Sequence, residues 1–421
     1  MLETMELLPG ITLRCFRDDR FKQGALSIQF IRLMKKEEAA LNALLPAVLL
    51  RGTEFCPDLR AITLRLDDLY GASVSALVRR VGDHQTTGLF CAFMEDRFAL
   101  EGDRIMEPMV AFLEELLLHP LLENGVFCDS FVRSEKKNLI STIESMINDK
   151  RAYAASQLRK IMCRGDSFAL PRLGEKEDVE KIDPQNLYAH YRQVLRESPV
   201  ELFYVGSAEA SAVAALLKKS FGKLERAYRP IPEQTAFCGN AGAQESEQMD
   251  VAQAKLCMGF TTEITNRDPR FAAMQVFNTL YGAGMTSKLF MNLREKQSLC
   301  YAIGSSYFST KGILTVSAGI DTCSEEIARA GIFEQLRACC DCDITAAELT
   351  GAKEAIISGL QGVHDSPSAI EGYYETAFLS GCALMPQDYI SRVMAVTAQD
   401  VAAVAKTLRY HSCFCLKGGA K

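Results

Sequence analysis

The segment that decides the fold reads NTLYGAGMTSKLFMNLREKQSLCYAIGSSYFSTKGILTVSAGID, from Asn278 to Asp321. Its first part is a glycine-rich turn followed by a leucine-spaced helical pattern that ends in polar residues. Its second part predicts two strands joined by a short polar turn that contains Gly312. A helical pattern over residues 324–338 comes next. The segment therefore predicts a helix, an antiparallel strand pair and a second helix in succession.

A similar succession occurs in the first half of the chain. The residues VRRVGDHQTTGLFCAF, Val78–Phe93, also predict a strand, a polar turn, a glycine and a strand, and Gly88 lies 224 residues before Gly312. The leucine-spaced pattern ITLRLDDLYGAS precedes them, and a helical pattern over residues 105–118 follows. A period close to half the chain length indicates two duplicated halves, because solenoid repeats are far shorter.

The boundary between the halves is predicted in a segment rich in Pro, Gly, Gln and Ser, residues 226–250. The strand pattern VELFYVGS (Val200–Ser207) lies before it, and the strand pattern AKLCMGFTT (Ala254–Thr262) lies after it. We therefore predict an N-terminal domain over 1–225, a linker over 226–250 and a C-terminal domain over 251–421. Antiparallel strand pairs mixed with several long helices predict an α+β fold rather than a doubly wound sheet.

The composition is typical of a well-packed globular protein. The 421 residues are 48% hydrophobic and 24% charged, and a chain of this length exceeds one ordinary core. The formal net charge of −6 disfavours a nucleic-acid partner, because no basic excess exists to neutralise phosphates. No phosphate-binding glycine loop follows a strand, so no nucleotide is predicted. Without a basic export signal or a bilayer-spanning apolar run, we expect a cytoplasmic protein with no membrane partner.

The 15 cysteines are expected to be reduced thiols in the core, because their number is odd and the chain is long. An alternative is a structural metal bound by the CCDC cluster (Cys339, Cys340 and Cys342) together with Cys413 and Cys415. Metal sites usually combine two ligand pairs at a distance, and this match is loose. Scattered core thiols are therefore the favoured interpretation.

The residues around Arg294 resemble one family closely. They contain Gly282 and Gly284 in a turn, followed in order by SKLF, LREK and LCY. Shorter matches are LRGT at Leu50–Thr53 and LGEKEDVEKIDPQNLYAHY at Leu173–Tyr191. Across nearly the whole chain the order of elements resembles the insulinase/pitrilysin family of zinc peptidases, which includes the mitochondrial processing peptidase subunits. The resemblance implies two homologous α/β halves that form a clamshell.

The same resemblance identifies what this chain lacks. Active members carry His-x-x-Glu-His on the helix before a Gly-Thr pair, so that two imidazoles hold zinc and the Glu activates water. In NALLPAVLLRGTE the corresponding positions are Ala43, Pro46 and Ala47. The third family ligand is a Glu seven residues into a later helix, and counting from Glu135 that position is Thr142. We therefore predict no metal and no other cofactor.

The remaining sequence offers no replacement for this zinc site. Glu144 lies two positions beyond Thr142, about 200° around the helix. The chain has five histidines: His84, His119, His190, His364 and His411. Apart from Glu115, four residues before His119, no second His or Glu lies at ligand spacing, so ordinary surface or core histidines are expected.

We also expect Pro46 to limit how far its helix extends upstream, because proline lacks a backbone donor.

Two side chains of the family's site are present, Arg294 and Tyr301. In active relatives this pair belongs to the C-terminal half and reaches the substrate at the zinc site of the N-terminal half. A guanidinium and a phenol are donors suited to a peptide carbonyl and to the oxyanion that forms on it. A structural alternative is that Arg294 pairs with Glu295 and Tyr301 packs at a strand start. Because the surrounding motif is complete, we favour substrate binding.

The resemblance implies three candidate functions. The first is a non-catalytic subunit that supplies Arg294 and Tyr301 to a zinc-bearing paralogue in a heterodimer that processes peptides. Such a chain resembles the inactive partner of bacterial paired insulinase-like proteins, of the type associated with 5-aminopentanol modification of elongation factor P. The second is a purely structural or peptide-binding pseudoenzyme, without any role in turnover. The third is an independent hydrolase with a new site, which stoichiometric zinc in the pure protein would favour.

Overall fold

The computed structural model describes residues 2–222, 224–239 and 241–418. Two compact units are present, and neither is continuous in sequence. Unit 1 comprises Met1–Glu144, Leu170–Glu233 and His364–Thr376. Unit 2 comprises Ser145–Ala169, Gln234–Val363 and Ala377–Lys421. Each unit has its own large sheet.

Unit 1 contains a six-stranded sheet and a two-stranded ladder. Its strands are β1 (Leu2–Leu8), β2 (Ile11–Arg17), β3 (Gln23–Leu33), β4 (Ser73–Val81), β5 (His84–Met94), β6 (Leu122–Glu123), β7 (Val126–Phe127) and β8 (Val200–Gly206). The order in the large sheet is β1-β2-β8-β3-β5-β4, and β6 pairs with β7. In the large sheet β2 and β8 run parallel, while the other neighbours are antiparallel.

Unit 2 contains a five-stranded sheet. Its strands are β9 (Gln244–Met249), β10 (Ala254–Thr261), β11 (Cys300–Phe308), β12 (Ile313–Ile320) and β13 (Arg409–Gly418). They are arranged in the order β11-β12-β10-β13-β9. Here β13 and β9 run parallel, and the other neighbours are antiparallel.

Five strands of the two sheets correspond one to one. The order β4-β5-β3-β8-β2 in unit 1 matches the order β11-β12-β10-β13-β9 in unit 2. In both sheets the last of these pairs is the parallel one. The shared order and orientation confirm the predicted α+β fold with two homologous halves, and β1 is an additional strand of unit 1.

Fourteen α-helices occur in the described part of the chain. They are α1 (Lys36–Leu49), α2 (Leu59–Asp68), α3 (Met106–Leu118), α4 (Asp129–Ser145), α5 (Lys150–Met162), α6 (Lys176–Glu180), α7 (Pro184–Glu197), α8 (Ala210–Phe221), α9 (Phe271–Asn278), α10 (Glu325–Cys340), α11 (Ala346–Gln361), α12 (Pro367–Leu379), α13 (Pro386–Ala395) and α14 (Ala398–Ala405). The core of unit 1 contains apolar side chains of its sheet and of α1, α3 and α7.

Two helices pack with the sheet of the opposite half of the sequence. In unit 2, Ala154 and Leu158 of α5 are buried with Cys257 and Phe414 of the five-stranded sheet. In unit 1, α12 supplies a buried tyrosine to the six-stranded sheet. The compact units therefore differ from the continuous domains 1–225 and 251–421 predicted above. The predicted linker also contains regular structure, because β9 forms a ladder with β13.

Both predicted hairpins are present as β4–β5 and β11–β12. Gly312 lies in the second hairpin's turn with a φ of +65°, a conformation that favours glycine. The expected equivalence of Gly88 is wrong, because Gly88 lies inside β5 opposite Gln29. A Cβ atom there would lie 1.9 Å from the Ile28 carbonyl oxygen. Gly88 therefore permits the close approach of β3 rather than a turn.

None of the helices in the described residues combines the length and the apolar character that crossing a bilayer requires. The predicted cytoplasmic location stays a prediction.

Candidate functional site

Helix α1 carries three of the four positions expected to hold the family's zinc ligands and general base. Ala43 and Pro46 are buried, and Ala47 is partly buried. The fourth position, Thr142, is exposed on α4, and its hydroxyl donates to the Asn138 carbonyl at 2.9 Å. Three of these side chains contain only carbon and hydrogen, and the fourth is a neutral hydroxyl. None of them supplies the imidazole or carboxylate that a zinc peptidase uses.

Pro46 lies inside α1 and does not limit the helix upstream, so that expectation is wrong. A proline inside a helix leaves the carbonyl four residues earlier without its usual donor. Here that acceptor is the carbonyl of Asn42, and the Thr87 hydroxyl on β5 donates to it at 2.7 Å. The hydrogen bond from the sheet replaces the missing helical one. Helix α1 therefore tolerates its proline without an orphaned buried carbonyl.

The side chain of Asn42 links α1 to two other elements of unit 1. It is fully buried, and its Nδ2 donates to Gln85 Oε1 on β5 at 2.9 Å. Its Oδ1 is 2.7 Å from His190 Nε2 on α7, so this ring nitrogen carries the proton and donates. Gln85 Nε2 in turn donates to the Ala39 and Arg172 carbonyls at 3.1 and 2.7 Å. Beside the degenerate zinc site, Asn42, Gln85 and His190 therefore form a hydrogen-bonded polar cross-link between α1, β5 and α7.

His190 is held as a neutral imidazole by this environment. Burial lowers its pKa to about 4, with a smaller opposing contribution from Glu38 and a further lowering from Arg32. A charged imidazolium would lose its hydration without gaining a carboxylate hydrogen-bond partner. The role of His190 in the described structure is therefore to donate one hydrogen bond to Asn42, as expected for a core histidine.

Arg294 lies on a π-helical segment, Leu289–Lys296, where a helix was predicted from the leucine spacing. Its guanidinium is partly exposed, with Nε 3.6 Å from Glu295 Oε1. The guanidinium carbon also lies 4.5 Å from the centroid of the Phe290 ring. The contact with Glu295 is the one that the structural alternative predicts. It is exposed to solvent, so it holds Arg294 only weakly.

Tyr301 is the second residue of β11, and its side chain is 55% exposed. It does not pack at the strand start as the structural alternative expected. Its hydroxyl donates to Asp321 Oδ1 at 3.2 Å. This hydrogen bond raises the pKa of Tyr301, so the phenol stays protonated at neutral pH and can donate a hydrogen bond.

The segment that carries Arg294 is fixed to the rest of unit 2 by polar and apolar contacts. Lys288, at its start, is buried and lies 2.8 Å from Glu348 Oε1 on α11. Asn292 Nδ2 donates to Gln335 Oε1 on α10 at 2.6 Å. Leu293 is fully buried against Gly331, also on α10. Arg294 therefore projects from a well-anchored segment, and its own side chain has little restraint.

In the described residues, no group of three or more His, Cys, Asp or Glu side chains is arranged to hold a metal ion. All 15 cysteines are free thiols. Burial raises the pKa of Cys339 and Cys415 to about 12 and that of Cys413 to about 11, which disfavours the thiolate that metals bind. The alternative of a structural metal at the CCDC cluster therefore gains no support.

Comparison with known proteins shows which proteins the chain is similar to. Residues 181–356 match the family described as Peptidase M16 inactive domain. Over 409 residues the chain is 29% identical to the probable inactive metalloprotease YmfF of Bacillus subtilis (strain 168). The aligned region covers 97% of this chain and 96% of that protein. The chain is a homologue of the M16 peptidases. These are the zinc peptidases that the sequence motif resembles, so the predicted relationship is confirmed.

Solved structures share the fold of this chain. A conserved protein from Enterococcus faecalis V583 has a TM-score of 0.91 at 26% identity, covering 100% of this chain and 99% of that one. A peptidase M16 inactive domain from Pseudomonas fluorescens has a TM-score of 0.81 at 15% identity, covering 100% and 98%. The second similarity shows the fold alone.

The side chains of this M16 homologue do not fit the zinc ion of active members. The ion requires three protein ligands with nitrogen, oxygen or sulfur donors. Methyl and pyrrolidine groups at Ala43, Pro46 and Ala47 provide none, and the Thr142 hydroxyl is engaged with its own helix. These positions therefore cannot hold a metal ion for peptide hydrolysis.

Sequence reasoning missed the polar cross-link that lies beside the degenerate site. Asn42, Gln85 and Thr87 of the M16 homologue are buried and hydrogen-bonded between α1 and β5. A signal was present, because Asn42 is a polar residue inside the apolar run LNALLPAVLL. Its partners could not be identified from spacing, since they lie 43 and 45 residues away.

Proposed function

We propose that this chain is the non-catalytic subunit of an M16 heterodimer. In this proposal a zinc-bearing paralogue cleaves the peptide, and this chain supplies Arg294 and Tyr301 to the substrate. The two side chains donate hydrogen bonds to the peptide backbone and to the oxyanion of the transition state. The partner, the peptide and the heterodimer are all parts of the proposal.

One contrast carries the proposal. The zinc-site positions of α1 have lost every donor atom, while Arg294 and Tyr301 keep exposed donors on an anchored segment. A chain kept only as a scaffold has no need for an exposed guanidinium and phenol within a complete family motif. The description of the Bacillus subtilis relative as a probable inactive metalloprotease agrees with a non-catalytic role.

The proposal is tested by mixing this chain with the zinc-bearing paralogue from the same genome. We expect the two chains to co-elute in size-exclusion chromatography and to hydrolyse peptides faster than the paralogue alone. Arg294→Ala and Tyr301→Phe should each lower kcat/KM of the mixture by roughly 10- to 100-fold, the range for losing one oxyanion donor with some compensation. Both variants should still co-elute, because both side chains are exposed.

Arg337→Ala is the matched control, since Arg337 is an exposed arginine on α10 that lies outside the motif of residues 278–321 in the sequence. It should leave the activity of the mixture unchanged. No gain of activity on mixing would contradict the proposal.

The purely structural pseudoenzyme is the second candidate, and the Arg294–Glu295 contact favours it. In that case Arg294→Ala would leave turnover untouched, whereas omitting the whole chain would abolish assembly.

A further inference from the structure

Helix α12 packs against the six-stranded sheet of unit 1 through aromatic side chains. Tyr374 is buried, and its ring centroid lies 5.5 Å from that of Phe16 on β2. The Tyr374 ring also stacks on Phe203 of β8 at 6.2 Å. The same face of α12 carries Glu371 and Glu375, because residues four apart lie one above the other on a helix. Two carboxyl groups are therefore buried between this helix and the sheet.

The first of these carboxyl groups is fully paired. Glu371 is 0% exposed, and it accepts hydrogen bonds from both terminal nitrogens of Arg79 on β4 at 2.9 and 2.6 Å. Gln29 on β3 donates to it as well, at 3.3 Å. A bidentate guanidinium contact of this kind neutralises one buried carboxylate.

The second arginine of the cluster is also committed. Arg14 on β2 donates from Nε and Nη2 to the two oxygens of Glu201 on β8, at 3.0 and 3.4 Å. Four charged or titratable groups therefore act on Glu375. Glu371 lies on the same helix, and the sheet contributes Arg14 on β2, Glu201 on β8 and Arg79 on β4. Two arginines face three carboxyl groups, and each arginine already has a partner.

Glu375 is the carboxyl group left over. It is 0% exposed, and neither of its oxygens has a hydrogen-bond partner. Burial is the largest influence on it, followed by repulsion from Glu201 and Glu371, and together they raise the pKa of Glu375 well above its usual value. An ionised Glu375 would be a buried charge whose neighbouring arginines, Arg14 and Arg79, are already paired with other carboxylates. Proteins avoid such a charge by keeping the group neutral.

We propose that docking of α12 on the sheet of unit 1 is coupled to a proton on Glu375, which makes this helix a pH-sensitive element of the fold. With the proton bound, three carboxyl groups and two arginines leave no excess charge between helix and sheet. When the proton leaves, the cluster carries a net negative charge in an environment that cannot hydrate it. Undocking of α12 returns the carboxylate to water.

The direction of the effect follows from linkage. The carboxyl group titrates near its ordinary value of about 4.3 when α12 is undocked and at a higher value when α12 is docked. The docked helix therefore binds the proton more tightly. Below about pH 4.3 docking is at its strongest. Between that pH and the raised pKa, the opening constant rises by up to tenfold per pH unit, and above it the constant levels off.

Hydrogen exchange of the full chain measures this opening directly. The protection of amides in residues 367–379 is followed from about pH 5 to pH 9 and corrected for the intrinsic exchange rate. In the wild-type chain we expect protection to fall with pH by up to tenfold per unit. In Glu375→Gln, which cannot ionise, we expect protection that does not vary with pH. Amides of α3 should show a weaker pH dependence, because undocking is local.

Glu354→Gln is the matched control, since Glu354 is an exposed carboxylate on α11 and its removal should leave the wild-type pH profile intact. Glu375→Leu replaces the carboxyl group by an apolar side chain of similar size and should also give a flat profile. A flat profile in the wild-type chain would overturn the proposal. So would a wild-type profile in Glu375→Gln or Glu375→Leu.

Discussion

At the scale of single residues, the proline inside α1 depends on a hydroxyl from the sheet. Thr87→Val keeps the shape of the side chain but removes the donor to the buried Asn42 carbonyl. We expect the free energy of unfolding to fall by about 1–3 kcal/mol, the cost of an unsatisfied buried acceptor. Urea denaturation of the purified chain provides the measurement.

A double-mutant cycle isolates the cause of that loss. In a Pro46→Ala background the new backbone amide can donate to Asn42, so Thr87→Val should cost about 1 kcal/mol less there. Thr63→Val on the exposed face of α2 is the control and should change stability by less than about 0.5 kcal/mol. An equal cost of Thr87→Val in both backgrounds would show that Thr87 does not compensate for the proline.

The residues of the candidate site were predictable only in part. The missing zinc donors at Ala43, Pro46 and Ala47 follow from the motif alone, because chemistry excludes them whatever the fold does. The hydrogen-bond partners of Asn42 and the burial of Glu375 without a partner were not predictable, since contacts between distant elements leave no periodic signal in the sequence. The sequence offered the Arg294–Glu295 pair as an alternative, but it did not indicate that Arg294 also lies over the Phe290 ring.

At the scale of elements, the start of α11 performs two tasks with one side chain. Glu348 completes a capping box with Thr345, and it forms the ion pair with buried Lys288. Glu348→Gln keeps an acceptor for the cap but leaves the ammonium group without a counter-charge. We expect it to destabilise the protein by about 3 kcal/mol, against about 1 kcal/mol for Thr345→Ala. Thermal or urea unfolding of both variants tests the order.

Removing both charges provides the control for this comparison. Lys288→Met combined with Glu348→Gln should recover much of the stability lost in Glu348→Gln alone, because no buried charge is left unpaired. If Thr345→Ala costs as much as Glu348→Gln, the ion pair does not anchor the segment that carries Arg294.

Hairpins and long helices were the elements that the sequence predicted best. The strand–turn–strand patterns of β4–β5 and β11–β12 and the helical pattern of α3 reflect local burial, which the local sequence pattern records. Two features were not predicted from the sequence. Residues 289–296 are π-helical, a geometry that leucine spacing does not distinguish from an α-helix. The strand β9 lies in a segment whose polar composition, QESEQM, is typical of a linker.

At the scale of the whole molecule, the duplication was visible as a repeat of about half the chain length. The matching strand order of the two sheets shows that the sequence repeat corresponds to two structurally similar halves. The exchanged segments 145–169 and 364–376 were not foreseen. In each of these segments, a helix from one half of the sequence packs on the sheet formed by the other half. No residue pattern indicates which sheet an amphipathic helix will cover.

We infer that this M16 homologue has no catalytic zinc of its own, because its zinc-site positions on α1 carry no donor atoms. Elemental analysis of the full chain, purified alone, incubated with zinc and then desalted, tests it most directly, with the zinc-bearing paralogue treated in the same way as a control. We expect stoichiometric zinc in the paralogue and only trace zinc in this chain. Stoichiometric zinc in this chain, together with peptide hydrolysis in the absence of any partner, would contradict it.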